Sequence, residues 1–114
     1  MRIRIAAVTN RGTVRAENQD AIAFSQHVLI GDDSGVIQDD IEFSELPKVC
    51  VLGDGMGGHA GGSEASKFAV EQLVRREGTI TGKAEVVSLV EDIHKEICRK
   101  NGVGPGQWEQ LFVE

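Results

Sequence analysis

No stretch of the 114-residue chain approaches the roughly 18 consecutive apolar residues that a membrane-spanning helix needs. The opening MRIRIAAV carries basic residues, but its apolar run stops at Thr9-Asn10-Arg11, too early for a secretory signal. An excess of positive charge is also missing. The net charge of −6 and pI near 5.0 argue against a general affinity for nucleic acid or anionic lipid. Cysteine is scarce. Cys50 lies in an apolar run and Cys98 in a helical pattern, with no paired spacing. Both read as reduced, buried thiols of a cytosolic protein, not as a disulfide or a metal site. Internal repeats and linkers of domain-separating length are absent too. What remains is 40% hydrophobic and 26% charged, the balance of a single globular domain with a modest core.

Hydropathy patterning divides this domain into strands followed by helices. Arg2-Ile3-Arg4-Ile5 alternates as a strand with one wet face does, and residues 10–20 read as a polar loop. Ala21–Phe24 and His27–Ile30 are short apolar runs, two strands or one interrupted strand. Residues 31–45 hold Asp32, Asp33, Asp39, Asp40, Glu42 and Glu45 but lack the spacing of a calcium-binding EF-hand loop, so a solvated loop or hairpin is expected. Residues 48–52 form an apolar strand. A helix capped by Ser63 follows, with an apolar stripe of Ala65, Phe68, Ala69 and Leu73 and a stop at Gly78. A second helix spans residues 84–100, its stripe made of Val86, Val90, Ile93 and Ile97. His27 and His94 carry no functional assignment.

Between the last strand and the first helix stands VCVLGDGMGGHAGG, where six of the chain's 14 glycines fall. Gly53-x-Gly55-x-x-Gly58 has the spacing of a dinucleotide-binding loop. That reading also needs a second strand and a ribose-binding acid about 20 positions on. Glu77 has nearly the right distance but belongs to the end of a helix, and Asp54 would set a negative charge beside the pyrophosphate. The dinucleotide reading therefore loses. Aspartates at strand ends, beside glycines that let a backbone carbonyl turn inward, instead suit a hard divalent cation such as Mg²⁺ or Mn²⁺. A second polar constellation, Arg15-Ala16-Glu17-Asn18-Gln19-Asp20, precedes another strand. If Asp20 and Asp54 converge, they can hold one or two metals, and Arg15 can offer its planar fork to a phosphate. His59, within the glycine cluster, is a candidate proton donor.

Taken in order, Gly12-x-x-Arg15-x-x-Asn18-Gln19-Asp20 and Val51-Leu52-Gly53-Asp54-Gly55-Met56-Gly57-Gly58-His59-Ala60-x-Gly62-x-x-Ala65-Ser66 resemble the metal-dependent protein phosphatases of the 2C type, in their bacterial form. The resemblance covers residues 1–101, as the N-terminal part of such a domain. It implies an α+β fold, an αββα sandwich of two antiparallel sheets with helices on both outer faces, here incomplete. It implies that Asp54 bridges two Mg²⁺ or Mn²⁺ ions, that the Gly55 carbonyl coordinates one, and that Asp20 contributes directly or through water. Gln19 falls in the outer shell and Arg15 binds the substrate phosphoryl group. The implied chemistry is hydrolysis of phosphoserine or phosphothreonine on a cytoplasmic protein by a metal-activated water. No phosphoenzyme is needed, in keeping with the lack of a plausible Cys or Ser nucleophile. Some eukaryotic members place a proton-donating His directly after the Asp-Gly pair. Here Met56 takes that place and His59 comes three residues later.

The aspartates of the family's later motifs have no counterpart here. After Asn101 the acidic residues are Glu109 and Glu114 alone. The expectation is a truncated form with little activity and an exposed apolar face. The alternative is a non-catalytic phosphatase-like module that binds metal or a partner. Residues 102–114, GVGPGQWEQLFVE, continue no pattern of the fold. The family's next motif at this place is Met-Gly-Thr-Thr. Codons CAA-TGG-GAA-CAA-CTN for Gln107-Trp108-Glu109-Gln110-Leu111 spell it in a shifted frame. The tail is accordingly read as out-of-frame translation, with a frameshift between about residues 101 and 107; the alternative is a genuine short variant with its own C-terminus.

Overall fold

In the computed structural model, residues 1–25, 27–31, 35–42, 49–55 and 61–100 are described. The boundary at residue 101 and the tail lie outside them, as do Met56 and His59. The described fold is α+β. Strands β1 (Arg2–Val8), β2 (Ala21–Phe24), β3 (His27–Ile30), β4 (Val36–Glu42) and β5 (Cys50–Gly53) precede helix α1 (Gly62–Arg75), a 3-10 turn (Glu77–Thr79) and helix α2 (Lys83–Lys100). β1 and β4 form one antiparallel sheet, and the other runs in the order β3-β2-β5, also antiparallel.

The acidic stretch expected as a solvated loop or hairpin contains a seven-residue strand, β4. Its charges have partners on β1. Arg2 stands opposite Glu42 and Arg4 opposite Asp40, with Nε–carboxylate distances of 3.4 and 2.8 Å. The hydrogen bond from Arg4 holds the Asp40 carboxyl below its ordinary pKa. The alternate residues Ile37, Asp39 and Ile41 occupy the other face, opposite Ala7, Ile5 and Ile3. Asp39 is accommodated there by His27, whose Nε2 lies 3.1 Å from Asp39 Oδ2. His27 also stacks at a tilt on the buried Phe24 ring, so it links the two sheets.

The three-stranded sheet has two unlike faces. Ala21 and Ala23 of central β2, with Val28, Ile30 and Val51 beside them, pack against Val70 and Val74 of α1. Alanine on β2 lets the helix approach closely, and Ala21, Ala23 and Val70 are fully buried. The opposite face carries Phe24 and Leu29, both buried, and reaches solvent at β5, where Leu52 is 68% exposed. The apolar run around Cys50 predicts a buried thiol. It is exposed, because β5 is an edge strand and Cys50 pairs with Phe24 in a row facing away from α1. Both cysteines are free thiols.

Helix α1 is apolar on two sides. Val70 meets the sheet, while Ala65, Phe68, Ala69 and Leu73, the expected stripe, pack against Ile80, Leu89, Ile93 and Ile97. Both helices thus lie on one side of the three-stranded sheet, α1 on the strands and α2 on α1. The α2 stripe is rotated from expectation. Ile93 and Ile97 are buried, but with Leu89 in place of Val86 and Val90, which are 38% and 46% exposed. The apolar residues of α2 define two overlapping stripes, and contact with α1 selects one. His94 and Cys98 complete the buried side, Sγ to Nε2 3.3 Å, and burial lowers the imidazole pKa and raises the thiol's. Helix α1 begins at Gly62 with Gly61 as its N-cap and no side-chain cap, so Ser63 lies inside the first turn instead of capping it. Its end comes at Arg75, before Gly78. No helix among the described residues is long and apolar enough to cross a membrane.

The rotated stripe has a measurable consequence. Ile93→Ala is expected to cost about 2–5 kcal/mol in urea unfolding, whereas Val90→Ala stays within about 0.5 kcal/mol of the parent chain. Equal losses would restore the stripe read from the sequence.

Candidate functional site

The loop before β2 is held by a buried amide. Asn18 Nδ2 donates to Thr9 Oγ1 at 2.6 Å and to the Gly31 carbonyl at 2.7 Å, while its Oδ1 accepts from the Asp20 N–H at 3.1 Å. The Gly31 N–H in turn donates to the Asp20 carbonyl at 2.9 Å. Gly31 has φ +59°, and a Cβ there would stand 3.0 Å from the Asn18 carbonyl oxygen, so glycine meets a conformational and a steric demand at once. Asp20 is thus fixed through its backbone at the start of β2.

Asp54 and Gly55 arrive at the same place from the end of β5, the neighbour of β2, where Ala21 pairs with Gly53. Gly55 is pressed onto the Gln19 backbone. A Cβ on it would fall 2.5 Å from the Gln19 carbonyl oxygen and 2.7 Å from that of Gly62. No side chain fits there. From α1, Ser66 Oγ donates to the Gln19 carbonyl at 2.5 Å and lies 3.1 Å from the Ser63 carbonyl. Strand end, loop and helix start therefore meet around one peptide group.

This approach brings Asp20 and Asp54 together. Because Ala21 pairs with Gly53, the two aspartates flank the same end of the β2–β5 pair, and Asp20 feels both the Asp54 charge and the Gly55 N–H. Asp20 is half-buried and Asp54 exposed. Burial first, and then the Asp54 charge, push the Asp20 pKa above its ordinary 3.8, against the opposing pull of the Gly55 N–H and of Arg15. Arg15 is exposed but close enough to act on Asp20 electrostatically. Two carboxylates facing each other, one losing solvent, form a donor set that a hard divalent cation would relieve of its repulsion. In this chemical sense the residues fit Mg²⁺ or Mn²⁺. Among the described residues no group of three or more His, Cys, Asp and Glu side chains is assembled for a metal. Any ion here would rely on these two carboxylates, backbone oxygen and water.

Of the residues singled out from sequence, Asp20, Asp54, Gly55 and Arg15 converge. Gln19 is buried, with its side-chain amide bonded to Glu17 and its carbonyl to Ser66. His59 lies outside the described residues. Asn18 and Ser66 also fall within the two motifs, and their side chains anchor the backbone around Asp20. Their signal was a polar residue in a stretch that the fold buries, visible only once the burial is known. No protein-family model, curated protein or solved structure matches the chain.

The carboxylate pair carries a pH signature. Asp20 holds its proton more tightly folded than unfolded. Its contribution therefore favours the folded chain below pH 3.8 and is lost as pH rises through its raised folded value. Asp54→Asn removes the like-charge part of that loss. In EDTA its melting temperature is expected to match the parent's near pH 3.5 and to exceed it by a few degrees near pH 7. A gap that does not widen with pH would show that the two carboxylates do not interact.

Proposed function

We propose that the chain carries the N-terminal part of a metal-dependent protein serine/threonine phosphatase site of the 2C type. The convergence of Asp20 and Asp54 beside Arg15 is the observation that carries this reading. Asp20 and Asp54 are the cation ligands from the chain's side groups, with the Gly55 backbone beside them and Gln19 behind. When bound, Mg²⁺ or Mn²⁺ supplies an acidified water for in-line attack on phosphorus and charge to offset the equatorial oxygens. Arg15 is exposed and permanently charged, and it offers a bidentate fork to the phosphoryl group of a phosphoserine or phosphothreonine. His59 is the candidate proton donor on this reading. The substrate is a phosphorylated protein in the cytoplasm, with no part for nucleic acid or membrane. Two carboxylates complete too little of a two-metal centre for rapid turnover, so activity of the 114 residues alone is low.

The same ligand count favours a second reading, a non-catalytic phosphatase-like module that binds metal weakly or a partner. The exposure of Leu52, Val36 and Val8, at 68%, 64% and 62%, supports it.

Release of phosphate from a phosphothreonine peptide separates the two. Slow, Mn²⁺-dependent turnover is expected, lost in Asp54→Asn and weakened through KM in Arg15→Ala. A folded chain that binds Mn²⁺ without any turnover would leave the module reading standing.

A further inference from the structure

We propose that Ser66 is a positioning residue for the candidate cation site, acting through the peptide group that joins Gln19 to Asp20. The proposal deepens the metal reading of Asp20 and Asp54 and rests on it. That peptide group is clamped at both ends. Its carbonyl accepts from Ser66 Oγ at 2.5 Å, and its N–H donates to Asn18 Oδ1 at 3.1 Å. Rotation of the peptide plane is the motion that would swing Asp20 away from Asp54, and the two bonds oppose it from opposite sides. Ser66 is 5% exposed, so no solvent stands ready to replace its hydroxyl.

The clamp also fixes the second carboxylate. Gly55, next to Asp54, lies so close to the Gln19 carbonyl oxygen that the oxygen shares its space with the glycine and the serine hydroxyl. Displacing that oxygen changes the seat of Gly55 and with it the approach of Asp54. Ser66 also sits one helical turn from Val70, whose burial against β2 sets the height of α1 over the sheet. One hydroxyl thereby ties the packing of α1 to the spacing of two carboxylates that it does not touch.

The test is Mn²⁺ affinity, read from the EPR signal of the free ion, for the full chain and three variants kept well below their melting temperatures. Ser66→Ala is expected to weaken Mn²⁺ binding about tenfold or more, the scale of losing an outer partner of a metal ligand. Ser66→Cys, similar in shape but a weaker donor, should fall between it and the parent. Ile93→Ala, a core change between the helices, should lower the melting temperature and leave the affinity within about twofold. If Ser66→Ala does not fold, Ser66→Cys decides. Parental affinity in the folded Ser66 variants, or an equal loss in Ile93→Ala, would overturn the positioning role. A parent chain that binds no Mn²⁺ would overturn the metal reading itself and this proposal with it.

Discussion

The contact between Gly55 and the Gln19 carbonyl is the constraint on which the rest of the candidate site depends. Two segments separated by more than thirty residues end at neighbouring strands, and each terminates in an aspartate. Antiparallel pairing of β2 with β5 brings the strand ends alongside each other. Pairing alone does not set how closely the carboxylates approach. The absence of a Cβ at Gly55 does, because only a bare backbone can lie against the Gln19 peptide, and Ser66 then secures that peptide from α1. The result is an arrangement in which burial and like charge oppose ionisation of Asp20, the kind of electrostatic cost a cation removes.

The remainder of the fold supplies the platform. Alanines on β2 admit α1 close to the sheet, α2 packs on the far side of α1, and the Phe24–His27–Asp39 contacts tie the first sheet to the second. The β1–β4 ribbon is held by exposed cross-strand ion pairs, which fix register more than they add stability. Where the platform ends, at β5, apolar surface meets solvent. The chain thus combines a well-built strand-to-helix junction with an exposed apolar edge at β5.

Sequence patterning found the elements whose signals are local. Ala21–Phe24 and His27–Ile30 were legible because short apolar runs were bounded by polar residues, and the glycine cluster marked the strand-to-helix junction. The misses share a cause, since each depended on a partner remote in the chain. β4 was hidden because its acidic residues become strand residues only opposite Arg2 and Arg4. The α2 stripe needed α1 to choose between overlapping apolar faces, and the exposure of Cys50 follows from β5 standing at a sheet edge. In the site, Asp20, Asp54 and Arg15 were legible as chemistry. The parts played by Asn18 and Ser66 were not, because a polar residue that anchors a buried peptide looks the same in sequence as one that faces water.

The most direct test of the carboxylate pair as a cation site is backbone-amide NMR with substoichiometric Mn²⁺, whose unpaired electrons broaden nearby signals. The account requires the amides of residues 19–21 and 53–55 to broaden first and together, at concentrations that leave Asp39, Asp40 and Glu42 on β4 and Asp92 and Glu96 on α2 sharp. Broadening that begins at those surface carboxylates while residues 19–21 and 53–55 stay sharp would contradict it.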